Sequence, residues 1–154
     1  MCKVYFLPKM PNNVELSLGE EILILIRERG PLTPEEIAGY LRRDVGEVRE
    51  ELGYLELDKL VTRVRRGLIF KKEAYDLTPT GLEEAERAYE KLRARANELM
   101  QRLASLNPDE LEELLNQYVS IIPLMLLLNL IPLELLMLIG LDLLMLGPVV
   151  VHDH

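Results

Sequence analysis

A mainly α-helical chain carrying one small β-hairpin is what this sequence predicts, and three observations carry that reading. Three short helical segments follow one another, each opening on a side-chain cap: Ser17, Thr33 and Asp44. Alternating apolar and polar residues then replace helical spacing at Thr62–Arg65 and Ala74–Leu77, around a turn near Gly67. Finally, Leu82, Ala85, Tyr89, Leu92, Ala96, Leu99, Leu103 and Leu106 recur at alternating spacings of three and four. That is the seam of a long helix built to lie along another helix.

The elements follow in chain order. Residues 1–14 read as a short extended arm and a turn, with Val4-Tyr5-Phe6-Leu7 before Pro8, Pro11 and Asn12-Asn13. Ser17 and Glu20 form a capping box for a helix that ends at Gly30-Pro31. Thr33-Pro34-Glu35-Glu36 opens a second helix, with Pro at its first position and Glu at its third. Arg42-Arg43 makes the turn, and Asp44 with Glu47 caps a third. The expected core is Leu23, Ile26, Ile37, Leu41, Val48, Leu52, Leu55, Leu60 and Val61. Thr80, with Glu83 three residues on, is expected to cap the long helix, and Asn107-Pro108 to end it. Asn107 would then cap a further helix striped with Leu111, Leu114, Leu115, Tyr118 and Ile122, folded back as an antiparallel hairpin.

Helix, helix–turn–helix and a two-stranded ribbon make a winged helix-turn-helix. Residues 1–79 are expected to form that domain with its arm, and residues 80–154 a helical dimerisation region with an apolar tail. Leu32-Thr33-Pro34-Glu35-Glu36-Ile37-Ala38 resembles the opening of many such modules, and Leu60-Val61-Thr62-Arg63 their approach to the wing. Tyr75-Asp76-Leu77-Thr78-Pro79-Thr80-Gly81 is similar to the strand-to-helix exit of the MarR and PadR groups of transcription regulators. The resemblance covers residues 17–100 and implies a transcription regulator that binds double-stranded DNA.

The charges qualify that expectation. The chain of 154 residues has a net charge of −8, but all 18 Lys and Arg residues lie at or before Arg102, where acids and bases nearly balance. Arg63, Arg65, Arg66, Lys71 and Lys72 fall within ten residues free of acids and suit phosphate contacts, to which Arg42 and Arg43 would add. The third helix carries Glu47, Glu50, Glu51 and Glu56 outward, with Arg49 as its one cation. Carboxylates repel phosphates, so Arg49 and Tyr54 are its expected base contacts. The seam from Leu82 to Leu106 is expected to pair two copies into a homodimer.

Two other readings compete. From Val119 to Val151 the only charges are Glu134 and Asp142, and a stretch that apolar is long enough to anchor a cytoplasmic winged helix in a membrane through residues 119–147. Acidic flanks and Pro123, Pro132, Gly140 and Gly147-Pro148 favour short packed helices in an assembly instead. Alternatively, the acidic third helix meets a basic protein partner and DNA is not bound. Catalysis finds no support: there is no phosphate-binding glycine loop, nucleophile elbow or metal-spaced cysteine set. His152-Asp153-His154 and the lone Cys2 make no site, so no cofactor or metal is expected, and the expected location is the cytoplasm. Met1–Met10 lacks the apolar core of a signal peptide.

Overall fold

The computed structural model describes residues 16–69, 71–105 and 108–132. Its elements are α1 (Leu18–Arg29), α2 (Pro34–Leu41), α3 (Val45–Leu57), β1 (Val61–Arg66), β2 (Lys72–Leu77), α4 (Pro79–Ser105), α5 (Pro108–Tyr118) and α6 (Ile122–Leu127). The arm at residues 1–14, the caps expected near Asn107, and residues 133–154 with Glu134, Asp142, His152 and His154 lie outside the described residues.

Local chemistry starts the first three helices where the sequence places them. Ser17 Oγ accepts from Glu20 N–H at 3.1 Å, while Glu20 Oε1 accepts from Ser17 N–H at 2.9 Å. Thr33 and Glu36 repeat the reciprocal pair at 3.1 and 3.0 Å, and Asp44 accepts from Glu47 N–H at 3.2 Å. Each box satisfies amide groups that a helix start otherwise leaves without partners. α2 ends with Arg42 in the left-handed region, φ 59°, which turns the chain into α3.

One compact unit spans Leu16–Leu92. Within it the first half of α4 lies antiparallel to α1. Lys91 reaches Glu20 at 2.6 Å, Arg27 reaches Glu86 at 3.0 Å, and the Arg27 guanidinium lies 4.5 Å above the Tyr89 ring. Ile22, Leu25, Ile37, Val48 and Leu52 are fully buried in it, as the amphipathic pattern requires. Of the expected core only Leu60 is half-buried, and its contribution is made by its backbone. β1 and β2 pair antiparallel from Val61↔Leu77 to Arg66↔Lys72, and a bridge between Leu32 and Tyr75 ties β2 to the loop before α2.

The start of α4 corrects one expectation. Its cap is Thr78, two residues before Thr80: the Thr78 hydroxyl accepts from Gly81 N–H at 2.9 Å and donates to the Lys59 carbonyl at 2.7 Å. Pro79 decides the position, since a proline with no N–H and a fixed φ suits the first helical residue.

The other unit contains the rest of α4 with α5 and α6. Tyr118, at the end of α5, is buried close to Glu98, Arg95 and Arg102 of α4. Burial, reinforced by Glu98, raises the Tyr118 phenol above its ordinary pKa. Ile122 does not continue the α5 stripe. It opens α6, because Pro123 lacks an N–H and its ring would collide with the carbonyl four residues earlier in a continuous helix. No helix among the described residues is long and apolar enough to cross a membrane.

The seam residues of α4 differ in exposure. Ala85, Leu92, Ala96 and Leu99 are buried within this single chain, Tyr89 and Leu103 are half-buried, and Leu106 lies outside the described residues. Leu82, 45% exposed, is the only seam residue left open among those described. The burial of Ala85, Leu92, Ala96 and Leu99 agrees with the covered stripe that the 3-4 spacing asks for.

Candidate nucleic-acid interface

The surface expected to meet DNA is built by α2, the turn at Arg42-Arg43, α3 and the β1–β2 hairpin. Its cations divide into two groups. Arg66 is turned inward: Nη1 donates to the Pro31 carbonyl at 2.6 Å and Nη2 to Glu36 Oε2. Glu36 Oε1 meanwhile holds the Thr33 amide at the start of α2. One carboxylate therefore caps a helix and fastens the wing to it. Arg63 Nε lies 3.1 Å from Glu56, Nη1 lies 3.4 Å from Glu73, and the guanidinium sits over the Tyr75 ring. Arg49 pairs with Glu35, and Arg43 lies 3.6 Å from Glu47 and 3.8 Å from the buried Glu21.

Arg42, Arg65, Lys71 and Lys72 are exposed, and no ion pair joins them to the described residues. Three of these four are on the hairpin. Tyr54 is 54% exposed, with its hydroxyl 3.5 Å from Glu50. It stands in an exposed stripe along α3 made of Glu47, Glu50, Tyr54 and Leu57, at spacings of three, four and three. The face that α3 offers is therefore acidic and apolar, while free positive charge gathers on the wing. A cleft of about 510 Å³ lies between the α2 start, Arg49 and β2, with Glu35, Glu36 and Glu73 opposing Arg49 and Lys72 in its walls.

Two exposed residues were not singled out from the sequence. Leu68 and Ile69, at the tip of the hairpin, are 96% and 83% exposed. Their signal was available: apolar residues stand where hairpin tips usually carry polar ones, between Arg65-Arg66 and Lys71-Lys72.

The Glu36–Arg66 contact gives a pH-dependent expectation. Hydrogen bonding from Arg66, opposed by partial burial and helped by Thr33, holds the Glu36 carboxyl below its ordinary value of 4.5. A carboxylate depressed on folding stabilises the fold above its unfolded pKa, and loses that contribution as pH falls through the lower folded value. Glu36→Gln keeps a cap acceptor but removes the charge. It is expected to destabilise the fold by about 1 kcal/mol at pH 7, with the deficit vanishing on acidification below pH 4.5. Urea midpoints of both proteins across that range check it.

No protein-family model and no curated protein sequence matches the chain. Among solved structures, a cysteine-to-serine mutant of Lactococcus lactis ZitR is similar at TM-score 0.54 and 20% identity, over 67% of this chain and 69% of that one. Wild-type Lactococcus lactis ZitR in complex with DNA is similar at TM-score 0.51 and 20% identity, over 69% of this chain and 72% of that one. A likeness at this identity establishes architecture: the chain is a winged helix-turn-helix protein, with the fold that its resemblance to MarR- and PadR-like regulators implied.

Proposed function

We propose that the chain is a DNA-binding transcription regulator that grips duplex DNA chiefly with its wing. The observation that carries this reading is the set Arg65, Lys71 and Lys72, three exposed cations on one hairpin with no ion pair to the described residues. Cations already held by carboxylates, such as Arg49 and Arg63, must break those contacts before they can neutralise phosphate. Free ones release counterions at no such cost. Arg42, exposed at the turn between α2 and α3, adds a fourth contact. The Glu47–Glu50 stripe opposes close approach of α3 to phosphates, so the helix expected to read bases contributes little affinity. The similar fold of ZitR in its DNA complex is the second support.

Fluorescence anisotropy on two duplexes of unrelated sequence tests the reading. Lys71→Ala with Lys72→Ala is expected to weaken binding to both nearly equally, because phosphate contacts carry no base information. Glu50→Lys is expected to strengthen both by removing a repulsion. Absence of duplex binding by the full chain at low salt would overturn the proposal. The exposed acidic stripe of α3 would then favour a basic protein partner.

A further inference from the structure

We infer that Leu68 and Ile69 form an apolar wedge that enters the minor groove of duplex DNA and unstacks a base step, so that sequence is read through the ease of deforming the duplex. The inference rests on the DNA-binding reading above. The last cross-strand pair of the hairpin is Arg66↔Lys72, and Gly67 at φ 111° turns the chain outward beyond it. Leu68 and Ile69 follow at 96% and 83% exposure. Single exposed apolar residues are ordinary on a protein surface. These two are unusual in standing together at an extremity, flanked by Arg65, Lys71 and Lys72, which make no ion pair with the described residues. A partner must therefore offer negative charge around a slot that admits aliphatic side chains. The minor groove at a base step does so: proteins that bend DNA insert Leu or Ile there while cations hold the flanking phosphates.

The base of the hairpin supports a wedge in a second way. Arg66 bonds to Pro31 and Glu36, and Leu32 pairs with Tyr75, so the wing is fastened to the start of α2. A tip held this way can transmit force to a base step, where a loosely hung loop would yield. The arrangement also supplies selectivity that α3 lacks. With Glu47 and Glu50 outward and Arg49 bound to Glu35, few groups are free to read base edges. Pyrimidine–purine steps such as TA and CA unstack most readily, so a wedge favours them without hydrogen-bonding any base.

The test uses the full chain, wild type and L68S/I69S, with doubly dye-labelled duplexes that contain either a central TA step or an uninterrupted A-tract. Wild type is expected to shorten the end-to-end distance of the TA duplex and to bind it more tightly than the A-tract. L68S/I69S is expected to melt at the same temperature as wild type, to keep the salt dependence of binding, and to lose both bending and the TA preference. Wild-type binding without bending, or bending that survives in L68S/I69S, overturns the wedge and leaves the DNA-binding reading standing. Absence of any duplex binding overturns both. Unchanged bending, with loss of L68S/I69S co-sedimentation on phosphatidylglycerol vesicles that retain wild type, assigns the tip to an anionic lipid surface and overturns the wedge.

Discussion

Gly81→Ala is expected to destabilise the protein by more than about 3 kcal/mol, enough to unfold a marginal domain. A Cβ at Gly81 would stand 1.8 Å from the Leu60 carbonyl oxygen and 2.8 Å from its carbon. That carbonyl cannot retreat freely, because it accepts the Thr78 amide at 3.1 Å. Thr78 in turn bonds both Gly81 N–H and the Lys59 carbonyl, and Lys59 is itself in the left-handed region at φ 62°. The end of α3, both ends of the wing and the start of α4 thus meet in one knot. Relief of the clash must shift all of them. Gly53→Ala is the control: nothing lies within 4 Å of its added methyl, and it sits inside α3. There Ala should raise stability by about 0.5–1 kcal/mol. Denaturant unfolding of the two variants decides the matter, and a Gly81→Ala protein as stable as wild type would refute the junction described here.

Leu92→Ala is expected to lower unfolding free energy by about 3 kcal/mol, the usual cost of emptying a fully buried leucine site. Leu92 is 0% exposed in the single chain. The loss should therefore be independent of protein concentration, as it is for a core residue. Leu82→Ala, at a residue 45% exposed, should cost under about 1 kcal/mol. If Leu92→Ala instead left stability unchanged and converted a dimer to monomers in sedimentation, the seam would be pairing two chains.

How much of this was legible from residues alone follows the range of each interaction. The caps at Ser17, Thr33 and Asp44 involve partners three residues away, and each was readable. The α4 cap was misplaced because Thr78 and Thr80 offer the same hydroxyl, and only the position of Pro79 between them discriminates. The 3-4 seam announced a buried stripe but not what would cover it, since a partner helix in the same chain and one in another copy impose the same spacing. The wing illustrates the limit most clearly. Arg65 and Arg66 are neighbours of identical chemistry, yet Arg65 makes no ion pair with the described residues while Arg66 is held by Glu36, thirty residues earlier. Strand alternation sends their side chains to opposite faces, but the position of Glu36 depends on how α2 packs.

The claim that free wing cations hold the DNA is tested most directly by the slope of log binding constant against log salt concentration. Wild type and an Arg65→Glu, Lys71→Glu, Lys72→Glu variant are compared on one duplex. Loss of three phosphate contacts is expected to flatten the slope by about 2.7, at about 0.9 per contact. Equal slopes for the two proteins would contradict the account.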